Sequence, residues 1–331
     1  MTRLRVAMLG LLVAFSILPV SGALARSDSR ILARISLGDP VPGPIFDGIV
    51  GFGSVWVSVG NDVIARVDPS TNSVVARINV GSGFRHELAA GEGAVWVTNP
   101  DEDSVSRINP ATNQVVATIP TAGSFPVGVA VASGSVWVSN HHADASGRGS
   151  VARIDPSTNG VIATIPLGAN AFAGGPGGMV AASGALWVGV PNMGAIARID
   201  PSTTAVSAIV PVDQACGIPA ASAGSVWMPG AGCGAPLLSR VDSTSLDVVR
   251  FNAGGIARFA GYGHGSLWVT ATSASCPPKC PPTASGLAQV DTRTGEAISR
   301  LPLEGSGFVA ADETSIWVGV GERGEVLRIR P

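Results

Sequence analysis

The sequence predicts a seven-bladed β-propeller, an all-β fold of four-stranded antiparallel blades. Two observations predict it: a tryptophan motif that occurs seven times, and chain ends that complement each other. The motif is a small residue, an apolar residue, Trp and another apolar residue, and it recurs every 40 or 41 residues with two longer intervals of 50 and 49. A period of about 40–45 residues is that of a propeller blade. The seven tryptophans are Trp56, Trp96, Trp137, Trp187, Trp227, Trp268 and Trp317.

Each repeat contains four segments that are typical of β-strands. An inner segment of small apolar residues, such as residues 127–131, precedes a glycine turn and the tryptophan segment. A third segment carries Arg-Ile-Asp-Pro or a variant, as at residues 66–69, and the Asp-Pro-Ser-Thr stretch that follows is typical of a hairpin turn. An outer segment such as residues 74–78 alternates apolar with small or polar residues, the period of a half-buried strand. Each blade is therefore predicted to be a meander.

The two ends of the chain are predicted to complete one blade together. Residues 326–330 form the third segment of the seventh repeat, and the chain ends without an outer segment. Residues 31–35 match the outer-segment pattern and precede the first blade. Pairing of these two segments removes two exposed strand edges, so we expect the N-terminal strand to close the ring against the last blade.

The tryptophans have two interpretations. They could form an aromatic row that binds a ligand. They stand at the same place in every repeat, between apolar residues in the middle of a strand. Because large rings at such places usually fill a core, the pattern favours packing between adjacent blades.

The first 25 residues have the features of a secretory signal peptide. Arg3 and Arg5 precede an apolar run over residues 6–20, and Ala23-Leu24-Ala25 supplies the small residues of a cleavage site. The apolar run is too short to span a bilayer comfortably. No cysteine lies near the cleavage point, so the sequence does not predict a lipid anchor. We therefore expect cleavage after Ala25, a single propeller domain over residues 26–331, and an exported protein that is periplasmic or secreted, with no membrane insertion after cleavage.

The charge balance argues against one class of partner. The chain has 21 basic and 23 acidic side chains and a net charge of −2, without a cluster of cations. A nucleic-acid footprint requires such a cluster. The expected partners are therefore a small molecule, a peptide or another protein.

The loops that depart from the repeat lie on one predicted face of the ring. This decorated face carries the connections into each inner strand and those between the tryptophan strand and the third strand. The two long intervals come from insertions at residues 140–150 and 271–285, both on this face. Because loops around a channel commonly carry function in propellers, we expect the binding site there.

All four cysteines are also predicted to lie on the decorated face. Cys216 and Cys233 flank the tryptophan strand region of the fifth blade, and Cys276 and Cys280 lie in the second insertion. An even number of cysteines in an exported protein indicates disulfides, and the favoured connectivity pairs Cys216 with Cys233 and Cys276 with Cys280. A zinc site is the alternative, although the spacing is not that of a zinc finger.

Histidines and acids cluster on neighbouring loops of the second and third blades. His86 and Glu87 lead into an inner strand, and His141, His142 and Asp144 open the first insertion. Such a set could bind a divalent metal such as Mg²⁺, with His86, Glu87, His141 and His142 supplying a general base and an orienting acid. The alternative is a solvated loop that contains these residue types without using them.

Phenylalanines recur near the start of the inner strands. An apolar mouth around the channel would suit a small hydrophobic or peptide-like ligand. Their offsets from the tryptophan vary, so the alternative is that they fill gaps between blades. The five are Phe46, Phe84, Phe125, Phe172 and Phe308.

The repeat of Gly-x-Val-Trp-Val followed by Arg-Ile-Asp-Pro resembles the virginiamycin B lyase (streptogramin lyase) group of seven-bladed propellers. It is also similar to the YVTN-repeat propellers of exported bacterial proteins. The resemblance covers nearly the whole chain after residue 25, but its motifs are mostly structural. It implies a magnesium-assisted ring-opening elimination on a cyclic depsipeptide, with histidines at the start of inner strands and an acid after a tryptophan strand.

The chain keeps one of these lyase features and departs from the others. His86 occupies a position at the start of an inner strand. The lyases are usually cytoplasmic, whereas residues 1–25 predict that this chain is exported. No repeat has an acid where the lyase pattern commonly has Glu; the residues there are Ser58, Thr98, Ser139, Gly189, Pro229, Thr270 and Gly319.

The sequence therefore favours an exported propeller that binds a small molecule, peptide or protein on its decorated face. The alternative is a metal-assisted lyase of the virginiamycin B lyase type or a lactone-opening hydrolase. A third hypothesis is a scaffold in which the ring itself is the function. Signatures of other enzymes, such as Gly-x-Ser-x-Gly and His-Glu-x-x-His, do not occur.

Overall fold

Seven four-stranded antiparallel sheets form a ring, which confirms the predicted seven-bladed β-propeller. The structure is a computed structural model that describes residues 28–38, 45–83, 85–142, 148–170, 177–212, 215–230, 237–252, 256–272, 286–303, 305 and 307–331. In six blades the strands run in chain order from the central channel to the rim, and in the seventh the N-terminal strand takes the outermost place. The described helices are 3₁₀ turns of three residues, and none of them could cross a membrane.

The strand bounds define the blades as follows. Blade 1 consists of β2 (Ile45–Gly51), β3 (Ser54–Val59), β4 (Val63–Asp68) and β5 (Ser73–Asn79). Blade 2 consists of β6 (Leu88–Gly91), β7 (Ala94–Asn99), β8 (Ser104–Asn109) and β9 (Gln114–Pro120). Blade 3 consists of β10 (Ser124–Ala132), β11 (Ser135–His142), β12 (Arg148–Asp155) and β13 (Gly160–Asn170). Blade 4 consists of β14 (Met179–Ala182), β15 (Ala185–Val190), β16 (Ala195–Asp200) and β17 (Ala205–Pro211).

The remaining blades follow the same order. Blade 5 consists of β18 (Ala220–Ser222), β19 (Ser225–Pro229), β20 (Leu237–Asp242) and β21 (Val248–Asn252). Blade 6 consists of β22 (Ile256–Gly263), β23 (Ser266–Thr272), β24 (Gly286–Val290) and β25 (Ala297–Pro302). Blade 7 consists of β26 (Val309–Ala311), β27 (Ile316–Val320), β28 (Glu325–Ile329) and, on its outer edge, the N-terminal strand β1 (Ile31–Ser36).

The N-terminal strand closes the ring as the sequence predicts. Strand β1 pairs antiparallel with β28, with Ile35 opposite Val326. The Leu37 amide continues the pairing by donating to the Gly324 carbonyl oxygen at 2.8 Å. The closure therefore pairs the edge of β28 that the chain would otherwise leave open, which removes a site for edge-to-edge aggregation.

Burial is greatest in the second strand of each blade and least in the outer strand. All six residues of β3, β7 and β15 are buried, whereas the outer strands β5, β9 and β17 alternate between exposed and partly buried residues and bury one residue each, Ile78, Ile119 and Val210. The second strand of a blade is covered on both faces by neighbouring blades, which explains its continuous apolar sequence. The core is therefore a series of seams between blades.

Each tryptophan fills such a seam. The Trp56 ring of blade 1 is fully buried and clusters with Leu88, Val95 and Ile108 of blade 2. Its indole nitrogen donates to the Gly51 carbonyl oxygen at 3.0 Å, so its polar atom is also satisfied. The predicted packing role of the tryptophans is thus confirmed.

An arginine on the third strand joins one blade to the next. The Arg107 guanidinium of blade 2 lies over the Trp96 ring, 5.1 Å from the ring centre. Its Nη1 donates to the Pro156 carbonyl oxygen at 2.6 Å and to Asn159 Oδ1 at 2.8 Å, both in the hairpin turn of blade 3. Corresponding bonds to the next blade are made by Arg66, Arg153, Arg240 and Arg328.

Blade 4 has the same arginine without the same bond. The Arg198 guanidinium lies 5.8 Å from the centre of the Trp187 ring, but its Nη1 donates to Ser207 Oγ within its own blade. Its Nε is buried without a hydrogen-bond partner. Arg198 is therefore a natural control for the bridging arginines.

We predict that Arg107→Ala lowers the free energy of unfolding by about 1.5–3 kcal/mol, because two hydrogen bonds from a charged group are lost. Arg198→Ala should cost less, since it removes the same stacking on tryptophan but no bond between blades. Chemical denaturation of the two variants and the wild type measures the difference. Equal losses in both variants would show that stacking, rather than the bond between blades, carries the effect.

Candidate functional site

The seven inner strands surround a central channel with a cavity of about 350 Å³. Most of its described lining is small or apolar and comes from every blade, as with Ala89, Val131, Val180 and Ala310. The charged side chains among the described lining residues are Asp47 and Glu87. A mainly apolar cavity with a few polar groups has the composition of a small-molecule site.

The two acids occupy equivalent positions in adjacent blades. We call this the channel position: it is the residue nine places before the tryptophan of each blade. In six blades the next residue of the inner strand pairs with the residue after the tryptophan, as Gly48 pairs with Val57 in blade 1. The other five blades have glycine or an apolar residue there, so the fold does not require an acid. From blade 1 to blade 7 the occupants are Asp47, Glu87, Gly128, Gly178, Ile218, Phe259 and Phe308.

Asp47 is held by backbone donors of two blades. Its Oδ1 accepts the Gly48 amide and its Oδ2 accepts the Leu88 amide of blade 2, each at 2.8 Å. Its own amide donates to Ser58 Oγ at 2.8 Å. Burial raises the pKa of Asp47 to about 6, and the two amide bonds partly oppose that increase.

Glu87 is buried with less compensation. It is 7% exposed, and its carboxylate accepts no hydrogen bond from the described residues. Burial raises its pKa well above the ordinary value, the nearby charge of Asp47 raises it further, and Arg85 opposes both. Arg85 itself is exposed and lies over the Phe46 ring, 5.7 Å from its centre. Among the described residues, the channel therefore contains one anchored carboxyl group and one that accepts no hydrogen bond.

Hydroxyl groups hold the inner strands around these acids. They stand at the position where the lyase pattern has Glu. Thr98 Oγ1 accepts the Glu87 amide at 2.9 Å and donates to the Val127 carbonyl oxygen of blade 3 at 3.3 Å. Ser139 Oγ likewise accepts the Gly128 amide and donates to the Gly177 carbonyl oxygen of blade 4, each at 2.8 Å. At these two positions the side chain therefore fixes the backbone around the channel.

His86 is fully buried at the start of the blade 2 inner strand. Its Nδ1 contacts the Thr98 carbonyl oxygen, and its Nε2 lies 2.8 Å from the Asn61 carbonyl oxygen of blade 1. Both ring nitrogens thus face backbone carbonyls. To bind a metal through one of these nitrogens, the His86 ring would have to give up its contact with the Thr98 or the Asn61 carbonyl oxygen.

His141 and His142 lie together at the end of β11, which extends into the first insertion. His141 Nδ1 is 3.3 Å from His142 Nε2, and the Phe125 ring packs edge-on against His141 with 5.9 Å between ring centres. Partial burial lowers the pKa of His141, and the neighbouring His142 lowers it further. The two histidines are therefore neighbours, as the sequence suggests.

The described residues do not fit a magnesium centre. No three His, Cys, Asp or Glu side chains within the described part of the chain are grouped to hold a metal ion. Asp144, the remaining member of the predicted metal set, lies outside the described residues, as do Cys233, Cys276 and Cys280. Cys216 is described just before the inner strand of blade 5. The disulfides and the metal site remain predictions.

The three described phenylalanines of the predicted mouth have different surroundings. Phe308 lines the channel but is 1% exposed, and a Cβ at Gly48 of blade 1 would approach its ring to 2.5 Å. Phe308 thus also fills a gap between blades. Phe46 and Phe125 are partly exposed and are not among the lining residues of the channel. Phe84 and Phe172 lie outside the described residues.

Asp47 and Phe259 line the channel, although the sequence motifs do not single them out. No local motif marks these two residues, and their common position becomes visible only when the repeats are aligned. Alignment of the repeats on tryptophan places Asp47 and Glu87 in the same column, nine residues upstream, with no other acid in that column. That column predicts a pair of carboxyl groups on adjacent inner strands.

Comparisons with known proteins define the class of this chain as a seven-bladed propeller. A family described as a repeat of unknown function (DUF6923) matches residues 120–235. No curated protein sequence matches the chain. A hydrazine synthase chain from Kuenenia stuttgartiensis has a similar structure, with a TM-score of 0.70, 13% identity, and coverage of 88% of this chain and 96% of that one.

Within that class, the resemblance to the virginiamycin B lyase group is confirmed at the level of the fold. A streptogramin B lyase structure has a TM-score of 0.71 and 14% identity, covering 90% of this chain and 96% of that one. A catalytically inactive virginiamycin B lyase from Staphylococcus aureus with quinupristin has a TM-score of 0.70 and 16% identity, covering 90% and 98%. Because proteins of unrelated function share propeller folds, these similarities define the fold, and any activity has to be argued from the residues of the site.

We predict that Glu87→Gln stabilises the protein at alkaline pH relative to acidic pH. The unfolded chain releases the Glu87 proton near the ordinary pKa of 4.5, whereas the folded chain keeps it to higher pH. The contribution of Glu87 to the stability of the wild type therefore decreases as the pH rises above about 4.5, and glutamine removes that contribution. The difference in melting temperature between variant and wild type should increase from pH 4 to pH 8.

Glu296→Gln is the matched control, because Glu296 is exposed in the β24–β25 turn. Its difference in melting temperature from the wild type should stay nearly constant over the same range. A constant difference for Glu87→Gln as well would mean that Glu87 is not desolvated in solution.

Proposed function

We propose that the protein is an exported β-propeller that binds a small molecule, or the end of a peptide, where the central channel opens on the decorated face. The observation that carries this proposal is the pair of carboxyl groups, Asp47 and Glu87, in an otherwise apolar channel. Buried carboxyl groups reduce stability unless they are paired. The other five blades have no acid at the channel position, so the fold does not require Asp47 and Glu87 there. Ligand binding would explain their presence.

The shape of the channel supports a compact ligand. A cavity of about 350 Å³ lies at the lower end of the range for small-molecule sites, which is roughly 300–1,000 Å³. Side-chain hydrogen bonds from Thr98 and Ser139 to backbone carbonyl oxygens of the next blades fix the surrounding strands before any ligand arrives. Such preorganisation reduces the entropy lost on binding. We also propose that the protein is exported, because residues 1–25 have the features of a signal peptide.

We predict that filling the channel at Ala260 abolishes binding of small ligands. Ala260 lines the channel opposite Val269, the residue after the blade 6 tryptophan. Blades 2 and 4 have Leu88 and Met179 at the same register, so Ala260→Met suits the fold. A fragment library screened by ligand-observed NMR should give hits for the wild type that disappear in Ala260→Met.

Ala297→Met is the matched control, because Ala297 is exposed on the outer strand of the same blade. It should retain every hit of the wild type. Hits that survive equally in both variants would place the site outside the channel and contradict the proposal.

A metal-assisted lyase is the alternative function. The propeller resemblance favours it, and so do the adjacent His141 and His142. Two features argue against it. Both ring nitrogens of His86 face backbone carbonyls, and no acid follows a tryptophan strand at the position where the lyase pattern has Glu. Under the binding proposal, we predict that protein dialysed against Mg²⁺ or Mn²⁺ retains no stoichiometric metal. Retention that is lost in the double variant His141→Ala, His142→Ala would instead favour the lyase.

A further inference from the structure

We propose that the channel binds the ammonium group of a primary amine with an apolar body, with Glu87 accepting hydrogen bonds from the ammonium and Asp47 adding charge. This inference rests on the proposed function and names its ligand class. It would hold for a free alkylamine and for the α-amino group of an apolar peptide, because both present the same headgroup.

The first step of the argument is the unsatisfied acceptor capacity of Glu87. Asp47 uses both carboxylate oxygens to accept backbone amides, from Gly48 and Leu88. The Glu87 carboxylate has no donor among the described residues, although the side chain is 7% exposed and lines the channel. A buried carboxylate with open acceptor sites binds most strongly to a charged donor.

The second step is the excess of negative charge. Asp47 is close enough to Glu87 to oppose its ionisation, so the two carboxyl groups repel each other when both are charged. Arg85, the cation that opposes this effect, is exposed, packs on the Phe46 ring and does not line the channel. The described lining of the channel includes no cation, so a ligand cation placed between the acids would relieve their repulsion.

The third step is the distribution of residue types around the channel position. Acids occupy blades 1 and 2, whereas Ile218 and Phe259 occupy blades 5 and 6, on the other side of the ring. All four line the cavity. A ligand with a cationic end and an apolar body would match both sectors at once, which a bare metal ion would not.

The fourth step selects a primary ammonium among cations. It is compact and carries three N–H donors, so it can serve the open oxygens of Glu87 while lying near Asp47. A quaternary ammonium has no donors and would leave Glu87 unsatisfied. We therefore expect amines to bind and their uncharged analogues to bind poorly.

Isothermal titration of the purified protein tests the inference. The probes are n-hexylamine against 1-hexanol, and leucine amide against N-acetyl-leucine amide, which differ in the ammonium group. We expect saturable binding of at least one amine and a dissociation constant about ten- to a hundredfold weaker for Glu87→Gln, the effect of losing a charged hydrogen-bond partner. Tighter binding of leucine amide than of hexylamine would identify the peptide terminus as the source, and the reverse a free amine; both support the inference.

The matched control is Asp101→Asn, which removes one negative charge from the same blade and the same face at an exposed site. It should bind amines as the wild type does. Asp47→Asn should also weaken binding, but it disturbs backbone bonds, so Glu87→Gln is the decisive variant.

Several outcomes would overturn the inference. Equal affinity for hexanol and hexylamine would show that charge is not recognised, while channel binding as such would stand. Unchanged amine binding in Glu87→Gln, or no saturable binding of either amine, would also refute it. Binding of Mg²⁺ that is lost in Glu87→Gln, without amine binding, would assign the carboxyl groups to a metal. The fragment hits and their loss in Ala260→Met test the proposed function independently of all these results.

Discussion

Each blade of this ring is held to the next by a tryptophan from its second strand and, in five blades, by an arginine from its third. The indole fills the seam, as Trp56 does against Leu88 and Val95. The guanidinium covers the ring and donates to the hairpin turn of the neighbouring blade, as Arg107 does to Pro156. Because a planar guanidinium can stack and donate at the same time, lysine could not replace it in both roles.

This seam contact determines how the inner strands meet. Blades held at a fixed angle bring the inner strands so close that a Cβ at Gly128 would lie 2.7 Å from the Gly177 carbonyl oxygen of blade 4. Hydroxyls such as Ser139 Oγ use the same proximity to bond both strands. The channel is therefore narrow and mostly apolar, and a carboxyl group placed in it is poorly solvated. The high pKa values of Asp47 and Glu87 follow from that geometry.

The fold was predictable from the sequence because it depends on features that repeat. Seven tryptophans in one frame give the number of blades, and the outer-strand pattern at residues 31–35 gives the closure. The role of the arginines was not predictable, since the hydrogen bond of Arg107 reaches a turn 49 residues away in sequence. Only the ring geometry brings the two together.

The candidate site was harder to predict because it consists of single departures from the repeat. His86 and Glu87 attract attention as a rare residue type beside an acid, yet the histidine faces two backbone carbonyls and the acid faces the channel. Asp47 has no local motif and becomes visible only when the blades are superimposed. Its carboxylate anchors the Leu88 amide beside Glu87, so the two residues form one unit that spans a seam.

A repeated fold can acquire a directional site by changing a few equivalent positions. With the same side chain in every blade, the channel would have no preferred side, and a ligand could not be oriented within it. Here the channel position changes from acids in blades 1 and 2 to glycine and then to Ile218 and Phe259. The acids cost stability, because desolvation favours their neutral forms. The seams can support that cost because their contacts lie away from the channel, in the second and third strands. Stability and recognition are thus assigned to different strands of each blade, which lets the innermost strand vary while the ring persists.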